Sequence, residues 1–137
     1  MKELAVVHPP GWKAPSGYAH GVSSPMGAGS RVILTAGQVG WNPVTGQFES
    51  DRFVDQAAQA LHNVVSIVKA AGAEPDQIVR LTWFVTSRDA YLESTRELGA
   101  RYREILDGHY PAMSVVVVSA LLEPRAQVEI EATAVIP

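Results

Sequence analysis

At 137 residues the chain has room for one core of ordinary size and not for two. Its 47% hydrophobic and 18% charged residues exclude the disordered and fibrous classes, and a net charge of −3, with eleven Lys and Arg and no run of three, leaves no electrostatic footprint for nucleic acid. The absence of cysteine removes disulfides, thiolate nucleophiles and thiolate metal sites together, and it fits a reducing compartment.

The first ten residues carry His8, Pro9 and Pro10 where a secretory signal needs an unbroken apolar stretch. No window reaches the length of a membrane span, so a cytoplasmic location and no membrane partner are expected. Residues 1–16 read as an irregular N-terminal segment of a single domain spanning 1–137. A strand is expected near residues 18–23 and another over 31–38 (R-V-I-L-T-A-G-Q), followed by a turn at 42–46, where Pro43 and Gly46 stand in turn positions. Residues 51–71 then place Phe53, Ala57, Ala60, Leu61, Val64, Ile67, Val68 and Ala71 at steps of three and four, which predicts an amphipathic helix. Ser50 and Asp51 are its expected cap acceptors, and Gly72 its left-handed terminator. Residues 78–86 (I-V-R-L-T-W-F-V-T) predict a strand. A second helix follows from cap Ser87, stacking Tyr91, Leu98, Tyr102 and Leu106 on one face until Gly108 and Pro111 stop it. Its other face, with Glu93, Arg96, Glu97, Arg101, Arg103 and Glu104, reads as solvated. Strands over 114–119 and 128–136 complete an α+β pattern.

Residues 115–118 and 32–34 are apolar at consecutive positions and therefore present apolar side chains to both faces of a sheet. Two helices of this length cover one face, so the other calls for a second copy of the chain, and a homo-oligomer is expected. The alternative is a sheet curled enough to bury its own second face.

His8, His20, His62 and His109 show no ligand spacing, so no metal is expected, and His62 reads as a surface residue of the first helix. His20 and His109 remain candidate cleft residues. There is no G-x-S-x-G, phosphate loop or dinucleotide fingerprint, so no cofactor is expected either. Glu129 and Glu131, two apart in V-E-I-E-A, point to one face of their strand. Two readings stand: a solvent-facing or salt-bridged edge, or a partly desolvated carboxylate at a subunit cleft that moves protons.

Six stretches together resemble the RidA/YjgF (reactive-intermediate deaminase) family: S-G-Y-A-H-G-V (16–22), V-I-L-T-A-G-Q-V (32–39), K-A-A-G-A (69–73), I-V-R-L-T-W-F-V-T (78–86), P-A-M-S-V-V-V-V (111–118) and V-E-I-E-A-T-A-V (128–135). The resemblance implies a chorismate-mutase-like α+β subunit, a mixed sheet with two helices on one face. Three such subunits close into a barrel-cored homotrimer with small-molecule clefts at the interfaces. It also implies hydrolysis of imines and enamines to 2-keto acids and ammonia without metal or organic cofactor. By the same resemblance Glu129 positions the attacking water, Tyr18 is the aromatic of the G-Y motif, and the strand-end backbone contact falls at Ala36 and Gly37. The family's carboxylate-gripping Arg of P-A-R-S is Met113 here. A thioether offers soft apolar contact in place of two charged hydrogen bonds, so the usual 2-imino acid loses several kcal/mol of binding at this spot. Arg125, shortly before the Glu129 strand, either restores that charge from another direction or is an ordinary loop arginine. Trp41 and Trp83 either line an enlarged apolar cleft or pack in core and interface. Older descriptions of the family as ribonucleases imply a basic groove or a catalytic His pair, which the sequence does not offer.

Overall fold

A computed structural model describes residues 4–137. In chain order the elements are β1 (Ala5–Val7), β2 (Gly21–Ser23), β3 (Arg31–Leu34), β4 (Gln38–Val39), α1 (Phe53–Ala70), a 3-10 turn (Pro75–Gln77), β5 (Ile78–Val85), α2 (Arg88–Glu93), α3 (Thr95–Ile105), β6 (Ala112–Val117) and β7 (Val128–Ile136). The sheet runs β3-β7-β5-β6, with β4 sharing the β3 edge of β7. Among the described strands only β5 and β6 pair in parallel, which the helical crossover α2–α3 between them makes possible. The mixed sheet with helices on one face is the α+β arrangement expected.

Four details depart from the sequence expectation. The segment 1–16 is not wholly irregular, because the β-branched Val6 and Val7 let β1 pair with β2 in a two-stranded ribbon of its own. The strand expected over 31–38 is broken at residues 35–37, where the Thr35 hydroxyl accepts from the Ala132 amide at 2.9 Å and takes the place of a ladder bond. The second helix is interrupted at Ser94, whose amide bonds the Tyr91 carbonyl. Strand β6 begins two residues earlier than expected and ends at Val117.

Helix α1 lies across the sheet with Ala57, Ala60, Leu61, Val64 and Val68 at 0% exposure. Its cap is residue 52: Ser50 Oγ accepts from the Arg52 amide, whereas Asp51 is drawn away to Arg125. Gly72 closes the helix at φ +91°, as expected. Two buried polar side chains on α1 serve backbone groups of the loops above. Gln56 Nε2 donates to the Ser50 and Arg125 carbonyls, both at 3.1 Å, and its Oε1 accepts from the Gln127 amide at 2.9 Å. Asn63 Nδ2 donates to the carbonyls of Val39 and Trp41. Gly40 is pressed against the same helix, since a Cβ there would overlap the Gln56 carbonyl oxygen and lie 2.5 Å from its Cα. Strand β4 and the loop entering β7 are thereby fixed to α1.

Alternate residues of the strands divide between two environments. Leu81, Trp83, Val85, Val128 and Ile130 face the helices and are 0–1% exposed. The opposite face carries Arg80, Thr82 and Phe84 of β5, Glu129, Glu131 and Thr133 of β7, and the exposed Val32, Leu34 and Val116. Consecutive apolar residues in β3 and β6 thus do serve both faces, and among the described residues no element covers the second.

Candidate functional site

The motif residues fall into two groups, one at each end of the sheet order. The first is built where β4 meets β7. Register pairs Val39 with Glu129, and the break at residues 35–37 brings Gly37 directly against the Glu129 side chain. A Cβ at Gly37 would overlap Oε1 and lie 2.8 Å from Cδ, so only glycine admits the carboxylate in this position. Ala36 precedes it in the same turn and accepts a hydrogen bond from Gln38 Nε2. Glu129 is half-buried while Glu131, two residues on, is exposed. The two carboxylates share a face, as the alternation predicts, but only Glu129 is enclosed by a turn.

The second group forms at β6, the opposite edge. Ala19 bridges Ala112 in parallel, and its amide donates to the Pro111 carbonyl at 3.0 Å, and the preceding Ser16 and Gly17 line the same cavity as Met113. Met113 pairs with Leu81 and shares its helix-facing side of the sheet, where it borders a cavity of about 660 Å³ between β6 and α3. The cavity's aromatic wall is Trp83, Tyr91, Tyr102 and Tyr110. Trp83 stands edge-on to Tyr91 with centroids 6.2 Å apart, and Tyr102 stacks on Tyr110 at 5.9 Å. Burial raises the pKa of the Tyr91 and Tyr102 hydroxyls, so both stay protonated. Trp83 Nε1 and Tyr102 Oη are buried with no hydrogen-bond partner, an unusual state for two polar atoms in one wall.

The single chain therefore brings Gly37 to Glu129, and Ser16 and Gly17 to the cavity that Met113 borders, but holds the two groups on different strands and different faces of the sheet; Tyr18 stands edge-on to His20 with centroids 5.5 Å apart and does not line that cavity. Arg125 joins neither. Its guanidinium donates to Asp51 Oδ1 from Nε at 3.1 Å and from Nη2 at 2.8 Å, and it lies over the Phe48 ring, so its charge is already matched. Trp41 packs on Phe48 at 5.9 Å, away from the cavity, whereas Trp83 lines it. His109 bonds the Ile78 carbonyl at 2.6 Å and His62 is exposed on α1. The N-terminal ribbon stacks His8 on His20 with centroids 5.5 Å apart, a pairing the linear spacing gave no reason to expect. Each of these rings spends its Nε2 on a backbone carbonyl, of Trp12 and Lys13 respectively. Among the described residues no group of three metal-ligating side chains converges, and no helix is long and apolar enough to cross a membrane.

Comparison with known proteins places these motifs in context. Residues 13–136 match the family model described as endoribonuclease L-PSP. A 2-iminobutanoate/2-iminopropanoate deaminase of Escherichia coli K12 is 39% identical over 107 residues, 76% of this chain and 79% of its own length. A RutC family protein of Haemophilus influenzae is 38% identical over 104 residues, 76% and 78% of the two chains. Among solved structures, YyfB of Yersinia pestis, from the conserved Rid family, superposes with a TM-score of 0.82 at 32% identity, covering 98% of this chain and 99% of that one. Escherichia coli TdcF with bound serine gives 0.69 at 32% identity, covering 90% and 91%. With its motifs in order along a matching fold, the chain belongs to the RidA/YjgF family.

Proposed function

We propose that this chain is a Rid-type hydrolase of imines or enamines with altered specificity, working in clefts formed between copies of itself in the cytoplasm. The observation that carries the reading is the Glu129 carboxylate, enclosed by the Gly37 turn, in a chain whose clamp position is Met113. The apolar Val32, Leu34 and Val116 on the uncovered sheet face support assembly, and a trimer closing those faces into a barrel also allows the β4 edge of one subunit to approach the β6 edge of the next. Glu129 and Gly37 of one copy then meet Tyr18 and Met113 of another. Glu129 takes a proton from water as its oxygen attacks the imine carbon and passes it to the nitrogen, giving a carbinolamine; it then moves the proton of the new hydroxyl to the amine as the C–N bond breaks, giving a ketone and ammonia. Ala36 and Gly37 contribute backbone contacts, while Met113 and the aromatic wall select an apolar group.

The test couples an amino-acid oxidase, which generates imines from a panel of amino acids, to measurement of their decay. Wild-type protein is expected to accelerate decay for some of them, and Glu129→Gln to lose about 100-fold or more of that rate, within the usual contribution of a positioned general base. Wild type equal to background for every imine, with Glu129→Gln indistinguishable from it, defeats the reading. The missing cation at Met113 favours a second reading, a non-catalytic binder of a small metabolite on the same fold, which ligand-dependent thermal stabilisation without turnover would support. Nuclease activity draws no support from a net charge of −3 or from histidines bound to backbone carbonyls.

A further inference from the structure

The charged face of α3 is exposed but not uniformly paired. Arg52 pairs with Glu97, and Arg101 with Asp55 at 2.8 Å, so these members of the face are neutralised. Arg96 and Arg103 instead line the cavity bordered by Met113, and among the described residues neither has a carboxylate within ion-pair distance. The cavity wall contains no Asp or Glu at all. Between the two cations on the same helical stripe stand Gly99 and Ala100, at the three- and four-residue steps that put side chains on one face. Glycine inside a helix costs about 1 kcal/mol relative to alanine. Nothing lies within 4 Å of a Cβ at Gly99, so packing does not demand it. Its effect is to leave the cavity open beneath the two guanidinium groups.

Resting on the reading that Met113 borders the reaction cleft, we propose that the cation missing from β6 is supplied across the cavity by Arg96. The preferred ligand is then a carboxylate with an aromatic side chain, an aryl 2-imino acid or the 2-keto acid it yields. The ring enters the space opened by Gly99 and rests on Met113 and the aromatic wall, where sulfur and ring faces give favourable contact. The carboxylate stays at the mouth with Arg96, whose planar fork suits it. Arg103 donates from Nε to Tyr110 Oη at 3.3 Å and adds to the local positive field from a fixed position. A small 2-imino acid would bridge this arrangement poorly, because its short side chain leaves the cavity unfilled.

Titration calorimetry on the full-length protein tests this with phenylpyruvate, its uncharged methyl ester, and pyruvate. Phenylpyruvate is expected to bind at least about tenfold more tightly than either of the others, the value of one charged hydrogen-bonding contact or one buried ring. Arg96→Gln, an exposed change, should erase the preference over the ester. Gly99→Leu should erase the preference over pyruvate by filling the cavity. Arg96→Gln with phenylpyruvate affinity within twofold of wild type overturns the proposal, as does wild type that does not bind phenylpyruvate. The oxidase-coupled assay separates this from the hydrolase reading. Arg96-dependent binding without any turnover removes hydrolysis and leaves the site, whereas turnover of aromatic imines undiminished in Arg96→Gln removes the site and leaves hydrolysis.

Discussion

The two faces of the sheet are made by the same strands, yet one is finished within the chain and the other is not. Toward the helices, Val128 and Ile130 are fully buried. On the reverse, Val32 and Leu34 are 54% and 73% exposed, although they are as apolar as their neighbours. Period-two alternation assigns a side chain to a face, but the cover for that face has to come from elsewhere. Helices α1 and α3 supply it on one side only.

Paired substitutions on the two faces should break this comparison most sharply. Ile130→Ala opens a cavity in the finished face and is expected to cost about 2–5 kcal/mol in urea unfolding. Leu34→Asp should leave the subunit folded but shift sedimentation velocity from oligomer to monomer. If Leu34→Asp sediments as wild type does, the uncovered face is not the assembly surface. A smaller contrast lies between two glycines near β4. Gly37→Ala meets the movable Glu129 side chain and should reduce turnover at least tenfold while costing under about 1 kcal/mol of stability. Gly40→Ala meets Gln56 backbone and should cost about 1–3 kcal/mol, the usual range for overpacking. The smallest effect belongs to the far side of the helical layer. Ser87 Oγ accepts from the Ala90 amide at 3.1 Å, and Ser87→Ala should lower stability by about 1 kcal/mol with no change in assembly.

Much of this architecture was legible in the sequence because it rests on local periodicity. Helix α1 announces itself through eight apolar positions at helical spacing, and Gly72 marks its end. Strands β5 and β7 are legible for the same reason. What escaped depends on partners distant in the chain. Asp51, 74 residues from Arg125, was expected to cap α1 and instead neutralises that arginine. The break after β3 follows from Thr35 reaching Ala132, 97 residues on. The motif glutamate and its glycine were found through resemblance, and their contact is a matter of register. The Arg96–Gly99–Arg103 stripe carried a signal, a glycine inside a charged helix. Its meaning depended on knowing that the edge strand with Met113 stands opposite.

Gln56 has a consequence for how motion reaches the carboxylate. Both N–H groups of its amide and its carbonyl oxygen are engaged, with the approach of α1 on one side and with residues 125 and 127 on the other. The segment delivering Glu129 is therefore geared to the first turn of a helix more than 70 residues earlier in the chain. A disturbance at residues 50–52, on the outside of the molecule, has a route to the Glu129 segment through one buried side chain, and under the proposed hydrolytic reading that corner is where control would have mechanical leverage.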